Sequence, residues 1–86
     1  MKIYLDTYLY KTEDGSKGIE FDQKVVTLKE FLKKFSEMSN VKCFDINGKI
    51  DPLLDISING KICMQDDITL NDGDTVHLEL VMLGGG

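Results

Sequence analysis

The chain has 86 residues and a formal net charge of -5, from fifteen carboxylates against ten basic residues, all of them lysine. That length fits one small domain with a modest core and little room for a catalytic cleft, which disfavours an enzyme acting alone. The acidic balance argues against a nucleic-acid partner and for a basic protein surface, and no segment is long or apolar enough to bring a membrane into account.

The N-terminus, Met1-Lys2-Ile3-Tyr4-Leu5-Asp6, meets a carboxylate before any signal-peptide apolar region forms, so a cytoplasmic location is the expectation. From Lys2 to Tyr10, Ile3, Leu5 and Leu9 alternate with Tyr4, Asp6, Tyr8 and Tyr10, the period of a half-buried strand. Asp14-Gly15 and Lys17-Gly18 mark a turn region. Ile19 and Phe21 then alternate with Glu20 and Asp22, and the two runs predict an antiparallel hairpin with one apolar face.

Thr27-Leu28-Lys29-Glu30 is the clearest helix start, since Thr27 can cap the third amide while Glu30 reaches back. Leu28, Phe31, Leu32, Phe35 and Met38 follow at helical spacing and form one stripe, opposite Lys29, Lys33, Lys34 and Glu37. A stripe of this kind is core that must cover a sheet, and no chemistry is assigned to it. Ser39-Asn40 ends the helix.

Beyond it, Cys43-Phe44-Asp45-Ile46 and Lys49-Ile50-Asp51-Pro52 flank a tight turn at Asn47-Gly48 and read as a small excursion. Leu54, Ile56 and Ile58 alternate with Asp55 and Ser57 as a third strand, and Asn59-Gly60 turns it back through Lys61-Ile62-Cys63. After polar turns at Gln65-Asp66-Asp67 and Asn71-Asp72-Gly73-Asp74 comes the last strand, Thr75 to Met82. Its Val76, Leu78 and Leu80 point one way, and His77, Glu79 and Val81 the other.

One helix can cover one face of the sheet these strands build, with the first and last strands parallel in its centre. The expected fold is therefore α+β, a β-grasp (ubiquitin-like) mixed sheet of four to five strands with one main helix. Residues 1–81 form that domain, and 82–86 a flexible Gly-rich C-terminal tail. The sheet's second face is left free for a partner.

The tail is the most informative feature for function. Gly84-Gly85-Gly86 follow Met82 and Leu83 directly, and glycine, lacking a Cβ, can lie extended in a channel too narrow for side chains. A partner enzyme could close around such a thread and reach the Gly86 carboxylate; a frayed terminus or a cloning linker is the bland alternative. Met82 and Leu83 extend the last strand as docking groups or fold over the domain edge. Val81, Glu79 and His77 would continue the patch on the free face.

The other candidates are weaker. His77 and Glu79 resemble an acid and base pair but have no third group and no pocket in the sequence reading, so they read as a surface pair. Asp72 and Asp74 lack the alternating ligands of a calcium loop and read as a solvated turn. His77 is the sole histidine, neither cysteine sits in a CxxC spacing, and no metal site is assigned. Cys43 and Cys63 are expected to be reduced, partly buried thiols rather than a disulfide.

The run Phe44-Asp45-Ile46-Asn47-Gly48-Lys49-Ile50, then Ile56-Ser57-Ile58-Asn59-Gly60-Lys61, then Asp67-Ile68-Thr69-Leu70-Asn71-Asp72-Gly73-Asp74-Thr75-Val76, closed by glycines, resembles the MoaD/ThiS family of sulfur carriers. The nearest likeness within it is the small subunit of molybdopterin synthase. The likeness spans nearly the whole chain in element order and is specific mainly from Phe44 onward. Two departures stand out: three terminal glycines where the family usually has two, and a first strand without the basic residues often found there.

The resemblance implies that Gly86 is adenylated by an ATP-dependent E1-like enzyme and converted to a thiocarboxylate. The sulfur would pass to a pterin precursor inside a large synthase subunit, or to a thiazole precursor in the thiamine branch. This chain would itself bind no cofactor, ATP being used by the activating enzyme, and it would hold no catalytic residue. The rival reading is a ubiquitin-like modifier joined through Gly86 to target lysines, with E2-like proteins and targets as partners. A plain binding module with an incidental glycine end is a third.

Overall fold

Strands β1 (Lys2–Thr7) and β7 (Thr75–Leu80) run parallel side by side in the middle of a mixed sheet, as the alternating patterns at the two ends of the sequence require. The computed structural model describes residues 1–11, 15, 17–63, 65 and 67–81. The sheet has five strands in the order β2-β1-β7-β4-β5, with β2 at Gly18–Glu20, β4 at Leu54–Ile58 and β5 at Lys61–Ile62. Both β2 on β1 and β4 on β7 are antiparallel. Helix α1 (Leu28–Ser39) supplies the second layer, and the whole is the ubiquitin-like β-grasp fold.

The core forms where the inward parity of the strands meets the helix stripe. Ile3 and Leu5 of β1, Val76 and Leu78 of β7, and Leu54 and Ile56 of β4 are buried together with Leu28, Phe31, Leu32 and Phe35. Met38, expected on the stripe, is 38% exposed, because the final turn of α1 runs past the core. Leu80 shares the parity of Val76 and Leu78 yet is 41% exposed, at the end of β7 where β1 no longer pairs with it.

Local chemistry sets the boundaries. Thr27 Oγ1 accepts the Glu30 N–H at 3.2 Å while the Glu30 carboxylate accepts the Thr27 N–H at 3.1 Å, so the capping box is complete. Asn40 ends α1 in the left-handed conformation at φ 61°. The β4–β5 connection places Asn59 and Gly60 both at positive φ, 52° and 87°, the signature of a type I′ hairpin turn.

Two features depart from the sequence reading. A second, two-stranded sheet pairs β3 (Val26–Thr27) with β6 (Thr69–Leu70), elements too short to show a period. The first strand stops at Thr7 rather than Tyr10, because Leu9 and Tyr10 turn in and pack against the core. The stretch 43–52 is the small excursion expected, closed by the Phe44–Ile50 bridge and by hydrogen bonds from Asp45 N–H to the Lys49 carbonyl and from Asp51 N–H to the Cys43 carbonyl, with Ile46 almost fully exposed at its tip. Among the described residues, no helix is long and apolar enough to cross a membrane.

Candidate functional site

The C-terminal stem is the last part of β7, and its neighbours hold it from both flanks. On one side the Val81 N–H donates to the Leu53 carbonyl at 2.7 Å, carrying the contact with the β4 side past the ends of both strands. On the other, the Leu80 N–H donates to the Tyr8 hydroxyl at 3.2 Å. Met82, Leu83, Gly84, Gly85 and Gly86, the tail of the sequence reading, lie outside the described residues.

His77 and Glu79 stand on the open face of the sheet, opposite the helix, as the alternation predicts, and Val81 beyond them is 41% exposed. The expectation that His77 and Glu79 have no third group is corrected: Asp6 of β1 sits beside His77 in the parallel register. His77 Nδ1 is 3.2 Å from Asp6 Oδ2, and Nε2 is 3.6 Å from Glu79 Oε1. Asp6 is within hydrogen-bond distance of the ring, while Glu79 is near enough only for a charge contact.

Asp55 adds a further charge, since it stands directly opposite Glu79 in the antiparallel ladder. Like charges in facing positions are unfavourable on an isolated sheet. The face therefore combines a negative cluster of Asp6, Glu79 and Asp55 with exposed apolar groups at Val81, Leu53 and Ile62. A basic surface with an apolar centre is its complement.

The remaining polar candidates are structural. Asp72 accepts the Lys2 N–H at 2.7 Å, and Asp74 accepts the Asn71 N–H at 2.8 Å and the Asn59 side-chain amide at 2.9 Å, so both shape the turn before β7. Cys43 and Cys63 are free and buried. Burial, with a smaller contribution from the Asp51 charge, pushes the Cys43 thiol up to about 11 and keeps it protonated. Among the described residues, no group of three or more His, Cys, Asp or Glu is arranged to hold a metal ion. An open groove of about 490 Å³ along α1, bounded by Phe21, Gln23, Glu30, Lys34 and their neighbours, shares no residue with the His77 face.

Three members of the site were missed from sequence, Asp6, Asp55 and Tyr8. Asp6 and Asp55 carry the outward parity of β1 and β4, so pairing those parities with β7 would have found them, whereas Tyr8 lies beyond the end of β1 and reaches Leu80 only through its hydroxyl. The last described residue, Val81, thus ends a held strand at the edge of an acidic and apolar open face.

These elements define a small α+β protein of the ubiquitin-like β-grasp class. Among solved structures the chain is similar to SAMP1 from Haloferax volcanii, with a TM-score of 0.74 and 15% identity over 99% of this chain and 100% of that one. It is also similar to the thiamine biosynthesis protein ThiS from Geobacter metallireducens, with a TM-score of 0.60 and 19% identity over the full length of both. The Haloferax volcanii HVO 2177 protein matches with a TM-score of 0.72 and 20% identity, over 99% of this chain and 87% of that one. No family model matches the chain, and no curated protein matches its sequence.

Proposed function

We propose that this chain is a ubiquitin-like sulfur carrier of the molybdopterin-synthase small-subunit type, working through the carboxylate of Gly86. That carboxylate attacks the α-phosphorus of ATP on an E1-like adenylating enzyme and releases pyrophosphate. Oxide is a poor leaving group from an acyl carbon, whereas AMP is a good one. Sulfide (HS−) supplied by a partner then attacks the carbonyl carbon, AMP departs, and after loss of the proton a thiocarboxylate remains to deliver sulfur to an acceptor held by a large synthase subunit.

The observation that carries this reading is the stem. The strand that leads into the glycines is the central one, bonded to β1 and β4, so the terminal residues continue from a fixed point beside the open face. The fold shared with ThiS and SAMP1 supports the same class. The chain's own cysteines are buried and so poorly placed to relay sulfur, which supports a partner as the source of the sulfur.

A second reading, a modifier joined through Gly86 to target lysines, begins with the same adenylate. The third glycine favours it by lengthening the thread by up to about 3.5 Å. Both readings are tested by one extension: a residue appended after Gly86 should abolish ATP–pyrophosphate exchange with the activating enzyme. Absence of exchange with the wild-type chain by any of the host's adenylating enzymes would point to a plain binding module.

A further inference from the structure

Strands β1 and β7 separate at Thr7. The parallel ladder ends at the Thr7–Leu78 pair, since the chain then turns inward and the Tyr10 ring meets Phe35 edge-on at a centroid separation of 6.2 Å. Strand β7 nevertheless continues to Leu80. Among the described residues, no strand pairs with its last residues on the β1 side.

Alternate residues of a strand direct their backbone groups to opposite edges, so Leu78 and Leu80 face this vacated side while Val81 faces Leu53. Hydroxyls from the point of divergence take the place of the missing strand. Thr7 donates to the Leu78 carbonyl at 2.7 Å and accepts the Leu9 N–H at 3.1 Å, which fixes the inward turn. Tyr8 accepts the Leu80 N–H at 3.2 Å across 72 positions of sequence. The Tyr8 side chain is otherwise poorly placed to stabilise the fold, being 66% exposed.

We propose that Tyr8 is a positioning residue for the C-terminal carboxylate: its hydroxyl latches Leu80, so that the segment starting at Met82 is presented from an ordered stem. The inference rests on the functional reading above. A partner that must first order a frayed strand end binds more weakly than one that meets it already ordered. The latch acts on recognition of the carrier and leaves the chemical step untouched.

Tyr8→Phe keeps the ring and removes the acceptor. Two measurements on the full chain test it: amide hydrogen exchange of Leu80 by NMR, and ATP–pyrophosphate exchange by each of the host's E1-like adenylating enzymes, titrated with carrier. Loss of one hydrogen bond should speed Leu80 exchange about fivefold and raise KM for the carrier by a similar factor, with kcat unchanged. Unchanged Leu80 exchange, unchanged KM, or a fall confined to kcat would overturn the proposal. If no host enzyme activates the wild-type chain, the functional reading itself falls and the latch with it; activation of both proteins alike removes the latch alone.

Discussion

His77 Nδ1 stands 3.2 Å from Asp6 Oδ2 across the parallel β1–β7 seam, joining two residues 71 positions apart. The pair lies at the surface, with side chains 39% and 56% exposed, so water screens most of its attraction. Its interest lies in what surrounds it: Glu79 on the other ring nitrogen, Asp55 opposite Glu79, and the stem of the tail two residues further on. Such a cluster has more to gain from a partner's cations than from its own contacts.

Removing these charges should therefore separate stability from docking. Asp6→Asn and His77→Gln are each expected to change unfolding free energy by less than about 1 kcal/mol in urea titrations. Glu79→Gln should be neutral or slightly stabilising, since it relieves the facing pair with Asp55. The same Glu79→Gln chain should need more carrier to saturate the adenylating enzyme, and wild-type saturation should weaken as salt is raised.

The capping box gives a prediction with a pH signature. Thr27→Ala should cost about 1 kcal/mol, read as a lower thermal midpoint. Hydrogen bonds from the Thr27 backbone, then its hydroxyl, hold the Glu30 carboxyl below its ordinary value of 4.5. A carboxyl lowered by folding contributes its stability in full above the unfolded value and loses it as pH falls through the lower folded value. The stability gap between wild type and Glu30→Gln should thus be constant above about pH 5 and close on further acidification.

Core substitutions should be severe in so small a domain. Phe31 is fully buried under the sheet, and Phe31→Ala is expected to cost about 3–5 kcal/mol, close to the whole stability of a small domain. Ile56→Val, which removes one buried methylene, should cost about 0.5–1.5 kcal/mol and leave the chain folded. Chemical denaturation followed by circular dichroism reads both.

The thiols offer a direct test of burial. At pH 8, iodoacetamide should leave Cys43 unmodified in the native chain, since the folded protein both covers the thiol and keeps it protonated. Intact mass should show two alkylations in urea and at most slow labelling without it. Rapid native labelling of Cys43 would contradict the packing described for the 43–52 excursion.

The parts legible in sequence were those written in local chemistry. The Thr27–Glu30 box and the Asn59-Gly60 turn each depend on residues within four positions, and the strand alternations place β1, β4 and β7 correctly up to their ends. What escaped depends on pairing. Two-residue strands at Val26–Thr27 and Thr69–Leu70 have no period to detect, and Met38 keeps the helical spacing but extends beyond the sheet it would have covered. At the site, His77, Glu79 and Val81 were visible from parity alone, whereas Asp6 and Asp55 come to them only through the strand register and Tyr8 through a hydrogen bond 72 positions long.

The central claim concerns the carboxylate of Gly86, and intact mass of the untagged protein purified from its own host tests it most directly. The account predicts a population heavier by the exchange of one oxygen for sulfur, absent when Gly86 is deleted. An unmodified mass accompanied by Gly86-dependent higher-mass conjugates in the same lysate would contradict sulfur transfer and favour the modifier. Neither signal, with function surviving a C-terminal extension, would contradict both.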